Sequence, residues 1–164
     1  FLDYDINILS KTVSETLNLS FLITKKTIGL MKKNKKGNVI NISSDIAIIS
    51  PDHRIYEEDL SRGYKGVNFN TPLGYPVAKS GILAFTRYLA TRYAKDGIRV
   101  NAICPAGVEN NHDTDFKKKL SSLIPLGRMM KPEEFPGPIL FLASDLSSFI
   151  TGTHIMVDGG RSII

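Results

Sequence analysis

Asn38-Val39-Ile40-Asn41-Ile42-Ser43-Ser44 is short, largely apolar and β-branched, and closed by two small hydroxyl residues. That is how a strand reads when both of its faces are covered, as in a parallel sheet. Ile98-Arg99-Val100-Asn101-Ala102-Ile103 repeats the pattern, and Thr153 to Val157 forms a last strand before Asp158-Gly159-Gly160. Ahead of the first strand, Val13, Leu17, Phe21, Ile28 and Met31 recur at helical spacing. Thr12-Val13-Ser14-Glu15 reads as a capping box, so this helix is expected from about Thr12 to Lys33, stopping near Gly37. A second helix is expected from about Pro76 to Lys95, with Ile82, Phe85, Leu89 and Tyr93 on one face and Gly97 as its left-handed cap. Residues 45–74 read as a long loop or lid, and another loop runs from the second strand to about Met130. A third helix opens at Lys131-Pro132-Glu133-Glu134 and is expected to be regular only from about Ile139 to Ser144, because Pro136 and Pro138 interrupt it. The order α-β-loop-α-β-α-β predicts an α/β fold, a parallel sheet with helices on its faces.

The 164 residues suit a single domain, 1–164, with an inserted loop or lid at about 51–74. The apolar fraction of 42% and charged fraction of 23% are those of an ordinary soluble globular chain. No apolar run is long enough to span a bilayer and no signal peptide opens the sequence, so no membrane partner is expected. The first residue is Phe1 and not Met, so the true N-terminus is expected to be missing. A lone cysteine, Cys104, cannot form an internal disulfide and suits a cytoplasmic setting, most simply as a buried strand residue. The net charge of +5 owes much to Lys32, Lys33, Lys35 and Lys36 and to Lys117, Lys118 and Lys119. No aromatic residue interleaves these runs to stack on bases, so they read as solvated surface and no nucleic acid is expected. His53, His112 and His154 lack metal-ligand spacing among themselves or with Cys104, so no metal is expected.

The sharpest chemical signal is Tyr75-Pro76-Val77-Ala78-Lys79. Residues four apart share one helical face, so Tyr75 and Lys79 point the same way at a helix start. A free phenol titrates near pH ~10, too high for efficient proton transfer at neutral pH. A neighbouring ammonium and a helix N-terminus both favour the phenolate and are expected to lower that value. The same spacing also fits an ordinary amphipathic face. Ser43 and Ser44 end a buried strand, where ligands bind in open parallel sheets. They also fit simple turn formation. Pro105-Ala106-Gly107 follows the next strand end, where a ligand-lining loop belongs.

Taken together, Gly37 to Ser44, Tyr75 to Lys79 continuing into Ser80-Gly81-Ile82, and Gly97 to Pro105 resemble, in order, successive landmarks of the short-chain dehydrogenase/reductase (SDR) family. Pro125-Leu126-Gly127-Arg128, Phe141 to Asp145, Thr151-Gly152 and Val157 to Gly160 resemble its later landmarks, so the likeness covers nearly the whole chain. It implies the C-terminal part of a doubly wound parallel-sheet, Rossmann-like fold, with the N-terminal nucleotide-binding half absent from the sequence. It implies catalytic roles for Ser44, Tyr75, Lys79 and Asn18: Tyr75 as general acid/base, Lys79 lowering its pKa and holding the nicotinamide ribose, Ser44 orienting the substrate oxygen, Asn18 supporting a relay water. Pro105, Ala106, Gly107 and Val108 would join Tyr75 and Lys79 in binding NAD or NADP.

The sequence departs from the family in reading Pro105-Ala106 for the usual Pro-Gly, and Asn110 for a later Thr. It also holds no Gly-rich turn after a first strand, so this chain alone is expected to bind a dinucleotide poorly. Ser44 and Tyr75 are 75 − 44 = 31 residues apart, a longer gap than most SDRs have. The inserted stretch is polar, charged and Tyr-rich, which suits a hydroxylated or anionic substrate. A similar insertion appears in SDRs of surface-sugar and flagellin modification, which points to a sugar-derived substrate. A surface lid or oligomer contact explains the insertion equally well. The expected function is an NAD(P)-dependent oxidoreductase acting on a carbonyl/alcohol pair of a small molecule. The alternatives are a non-catalytic remnant of an SDR and a 3-oxoacyl-carrier-protein reductase-like enzyme. The resemblance also implies a homo-oligomer, dimer or tetramer, pairing through the first two helices.

Overall fold

The computed structural model describes residues 4–56 and 70–164. Three strands, β1 (Gly37–Ile42), β2 (Ile98–Pro105) and β3 (His154–Val157), form a parallel sheet in the order β1-β2-β3. The helices are α1 (Ile6–Lys33), α2 (Gly74–Tyr93), α3 (Thr114–Ser122) and α4 (Pro136–Ala143).

Alternation along the strands decides what covers the sheet. Ile98 and Val100 pack with Ile28 of α1 and Leu89 and Ala90 of α2, and Ala102 and Cys104 pack with Leu83 of α2. The intervening side chains point the other way. Asn38 and Arg99 both donate to the Leu142 carbonyl in α4, at 2.6 and 2.9 Å. Arg99 and Asn101 also donate to the Ile150 carbonyl. A helical layer on each face, with the strand carboxyl ends in register, puts the catalytic candidates at one edge of the sheet.

Several local expectations need correction. Helix α1 starts at Ile6, not Thr12: Asp5 Oδ1 accepts the Asn7 amide at 2.8 Å, while Thr12 donates back to the Ile8 carbonyl within the helix. Glu15 lies 3.9 Å from Lys11 in an exposed ion pair. The expected loop before Met130 contains α3, capped by Asp113, whose carboxylate accepts the Asp115 and Phe116 amides. Helix α4 is regular from Pro136 itself, because its first-turn N–H groups have no partner inside the helix and Pro136 and Pro138 sacrifice none there. Gly97 does cap the second helical segment, at φ 73°; a Cβ there would stand 2.3 Å from the Lys35 carbonyl oxygen. The inserted stretch falls mostly outside the described residues, at 57–69.

Candidate active site

Beyond the carboxyl ends of β1 and β2 lies a cavity of about 460 Å³. Ser44 arrives from the end of β1, Tyr75 and Lys79 from the first two turns of α2, and Pro105, Ala106, Gly107 and Val108 from the end of β2. The described ends of the inserted stretch close one side through Pro51, Ile55, Tyr56 and Thr71, and Tyr56 and Thr71 hydrogen-bond each other through their hydroxyls. Asn18 is not brought here. It is exposed in mid-α1, and its amide donates to Ser14 Oγ at 2.6 Å.

The two serines divide their work. Ser43 Oγ donates to the Lys79 carbonyl at 2.8 Å and so ties the end of β1 to the start of α2. Ser44 Oγ donates to Asp45 Oδ1 at 3.0 Å. Thr86 accepts from Asn41 and donates to Ile82, so α2 is pinned to β1 by two buried polar links. Those links set the distance between Ser44 and the Tyr75–Lys79 face.

Lys79 Nζ donates to the Ile42 carbonyl at 3.0 Å and lies 5.5 Å from the Tyr75 ring centroid. Burial pushes the Lys79 ammonium below its ordinary value. Burial is also the largest influence on Tyr75 and pushes the phenol up; the hydrogen bond with Ser44 opposes it, and Asp45 and Tyr56 add to the rise. The expected lowering of Tyr75 by Lys79 is therefore not what this arrangement gives. Desolvation of the phenolate decides the direction, and the Lys79 ammonium is directed at a backbone carbonyl. Cys104 is buried in β2, which raises its thiol in turn.

The 105–108 turn is held from behind. Ala106 N–H donates to Val157, Met130 N–H to Gly107, and Glu109 N–H to Met130. Gly107 packs directly on α3: a Cβ there would meet Leu120 Cδ2 at 2.6 Å. Of the charged residues that line the cavity, Asp45 and Arg161 carry no role in the sequence reading; Arg161 Nη1 donates to Asp45 Oδ2 at 2.8 Å. Asp45 was readable only as the neighbour of Ser44, and Arg161 carries no local signal. Among the described residues, no group of three or more His, Cys, Asp or Glu side chains is placed to hold a metal ion. Nor is any described helix long and apolar enough to cross a membrane.

Residues 61–162 match the family model described as enoyl-(acyl carrier protein) reductase. An L-rhamnose-1-dehydrogenase from Scheffersomyces stipitis is 32% identical over 98% of this chain and 58% of its own length. A 3-oxoacyl-[acyl-carrier-protein] reductase from Thermotoga maritima is 35% identical over 87% of this chain and 52% of its own. The chain thus spans between half and three fifths of the curated relatives it matches. A short-chain dehydrogenase from Leptospira borgpetersenii, crystallised with bound NAD+, superposes with a TM-score of 0.86 at 36% identity, covering 99% of this chain and 59% of that one. The order of motifs, the parallel sheet and these likenesses agree: the chain belongs to the short-chain dehydrogenase/reductase family.

Proposed function

We propose that the protein is an NAD(P)-dependent oxidoreductase that interconverts an alcohol and a carbonyl on a small-molecule substrate. The observation that carries this reading is the convergence of Ser44, Tyr75, Lys79 and the 105–108 turn on one cavity. Its donor set fits the nicotinamide end of a dinucleotide: an ammonium and a phenol on one wall, a fixed backbone turn on the other. Lys79 would hold the ribose hydroxyls, and the turn would line the nicotinamide. When bound, the cofactor gives or takes the hydride.

Tyr75 then moves the proton at the substrate oxygen, as acid in reduction and as base in oxidation. Ser44 holds that oxygen beside the phenol. The positive charge of Lys79 stabilises the phenolate whenever it forms. Ile55, Phe116, Leu120 and Phe135 line the cavity with apolar surface that keeps water off the reacting atoms. The polar contribution of Tyr56 and Thr71 suits a hydroxylated substrate, and a sugar-derived one is the reading we prefer. An L-rhamnose-1-dehydrogenase among the relatives favours it. The acyl-carrier-protein reductase relative favours the alternative, a 3-oxoacyl thioester.

Tyr75→Phe is expected to abolish cofactor-dependent turnover, by about 100-fold or more, with circular dichroism unchanged. Retained turnover overturns the assignment. Calorimetric titration with NAD+ and NADP+ measures the cofactor preference; a full gene product that binds neither is a non-catalytic relative.

A homo-oligomer built on α1 and α2 belongs to the same proposal. Helix α1 exposes Leu19, Phe21, Leu22 and Ile23 by half or more of their surface, which a second copy would cover. Leu22→Glu is expected to reduce the mass measured by light scattering without lowering secondary-structure content. An unchanged mass removes α1 from the interface.

A further inference from the structure

Arg161 carries a guanidinium edge to which nothing is bonded, and it borders the proposed active site. The turn that holds it is closed by Asp158, which accepts the Gly160 and Ser162 amides at 3.0 and 2.7 Å. Nη1 donates to Asp45 Oδ2 at 2.8 Å, and Asp45 Oδ1 is itself held by Ser44 Oγ and the Ile46 amide. Nε and Nη2 donate to no described residue. Among the described residues, the fully enclosed polar side-chain atoms without a partner are Tyr4 Oη, Asn38 Oδ1 and His112 Nδ1, so Nε and Nη2 reach open space. Arg161 is only 8% exposed, and the opening it lines is the cavity of Ser44, Tyr75 and Lys79.

The Nε–Nη2 edge of a guanidinium matches the two oxygens of a carboxylate and bonds both at once. With Nη1 tied to Asp45, the guanidinium is fixed before any ligand arrives, which lowers the cost of binding one. Stability does not explain the pair, because apolar replacements of a buried ion pair are often neutral or better. Asp45, Lys79 and Arg161 are the described charged residues that line the cavity, two cations and one carboxylate. Asp52, which Arg161 also attracts, is bonded to Arg54. A monoanion therefore neutralises the excess positive charge of the wall. A phosphate dianion would bring a second negative charge beside Asp45.

We propose that Arg161 is a specificity-determining residue whose free edge binds a carboxylate of the substrate, so that the substrate is a hydroxylated acid of the aldonate or uronate kind and not a neutral sugar. Asp45 is the positioning residue that holds the guanidinium. This rests on the reading of the cavity as the substrate site. The carboxylate takes no part in the hydride or proton transfer. Anchoring it selects which hydroxyl of a polyhydroxylated chain reaches Tyr75.

The test is a calorimetric titration of the full gene product in its Tyr75→Phe form with NAD+ or NADP+ present, so that binding is read without turnover. The probes are pairs that differ in the carboxylate: glycerate and glycerol, gluconate and glucitol, galacturonate and galactose. At least one acid is expected to bind about 10-fold more tightly than its neutral counterpart. Asp45→Val combined with Arg161→Met removes one positive and one negative charge and so leaves the net charge of the cavity unchanged. In that variant the acid-to-neutral ratio is expected to fall to about one. No preference for the acid in any pair overturns the proposal, as does a preference that survives in the folded double variant. Weakening of acid and neutral probe alike also overturns it, because that marks a structural role. Inorganic phosphate displacing the acid at similar concentration overturns the carboxylate assignment. Should the double variant fail to fold, Arg161→Lys keeps the charge beside Asp45 without the planar edge; a ratio about 10-fold lower supports the proposal and an unchanged one overturns it. Reaction heat in the Tyr75→Phe protein sinks the catalytic reading of Tyr75, whereas the acid-to-neutral ratio decides the role of Arg161.

Discussion

Two arginine–carboxylate pairs sit at opposite extremes of this fold. Arg128 meets Glu134 through two bonds of 2.7 Å, with side chains 46% and 41% exposed. Arg161 meets Asp45 through one bond of 2.8 Å, with side chains 8% and 4% exposed. Geometry favours the first pair and environment the second. At the surface, water and salt screen the attraction and two long side chains lose freedom to make it. In the interior the attraction is hardly screened, but each charge depends on the other for its solvation. The better-formed pair is therefore the one the fold can most easily lose. The poorer one is where a single substitution does the most harm.

The largest effect breaks the buried pair from one side. Arg161→Met alone leaves Asp45 as a buried charge without its cation and is expected to cost about 3–5 kcal/mol of unfolding free energy. Adding Asp45→Val should recover most of that loss, because no charge is then stranded. Urea unfolding of the single and double variants measures both values. A single variant as stable as the parent would mean that water reaches Asp45, and the contrast between the two pairs would collapse.

The contrast also explains what was legible in the sequence. Tyr75 and Lys79 could be found because a four-residue spacing on a helix is a local rule, and Ser44 because a strand end is a local signal. Residues 38–44 and 98–103 declared their strands for the same reason. Asp45 and Arg161 meet only after the sheet has formed, across 116 positions, and no window of sequence contains them both. The start of α1 is hidden because Thr12 and Glu15 imitate a cap inside a helix that Asp5 has already begun. Helix α3 is hidden because Lys117 to Lys119 read as a solvated run, although Asp113 is in place as its cap. The rise in Tyr75 has no sequence signal because burial, which decides it, is a tertiary quantity.

The smallest effect sharpens the comparison from the surface side. Its hydrogen bonds with Arg128 hold the Glu134 carboxyl at about 2, below its ordinary value of 4.5, and the Lys131 amide adds to the effect by donating to Oε2 at 2.8 Å. A carboxyl whose folded value is depressed contributes stability above its unfolded value and loses it as pH falls through the folded one. The contribution of Glu134 is thus complete above pH 4.5 and gone below about 2. Glu134→Gln should lower the unfolding midpoint slightly at pH 6 and leave it unchanged at pH 2, and added salt should shrink the difference at pH 6. Differential scanning calorimetry across that range measures it. A difference that persists at pH 2 would assign the role of Glu134 to the shape of the 132–134 turn. The surface pair would then matter as a cap, because an exposed charge pair has no means of acting where its carboxylate is protonated.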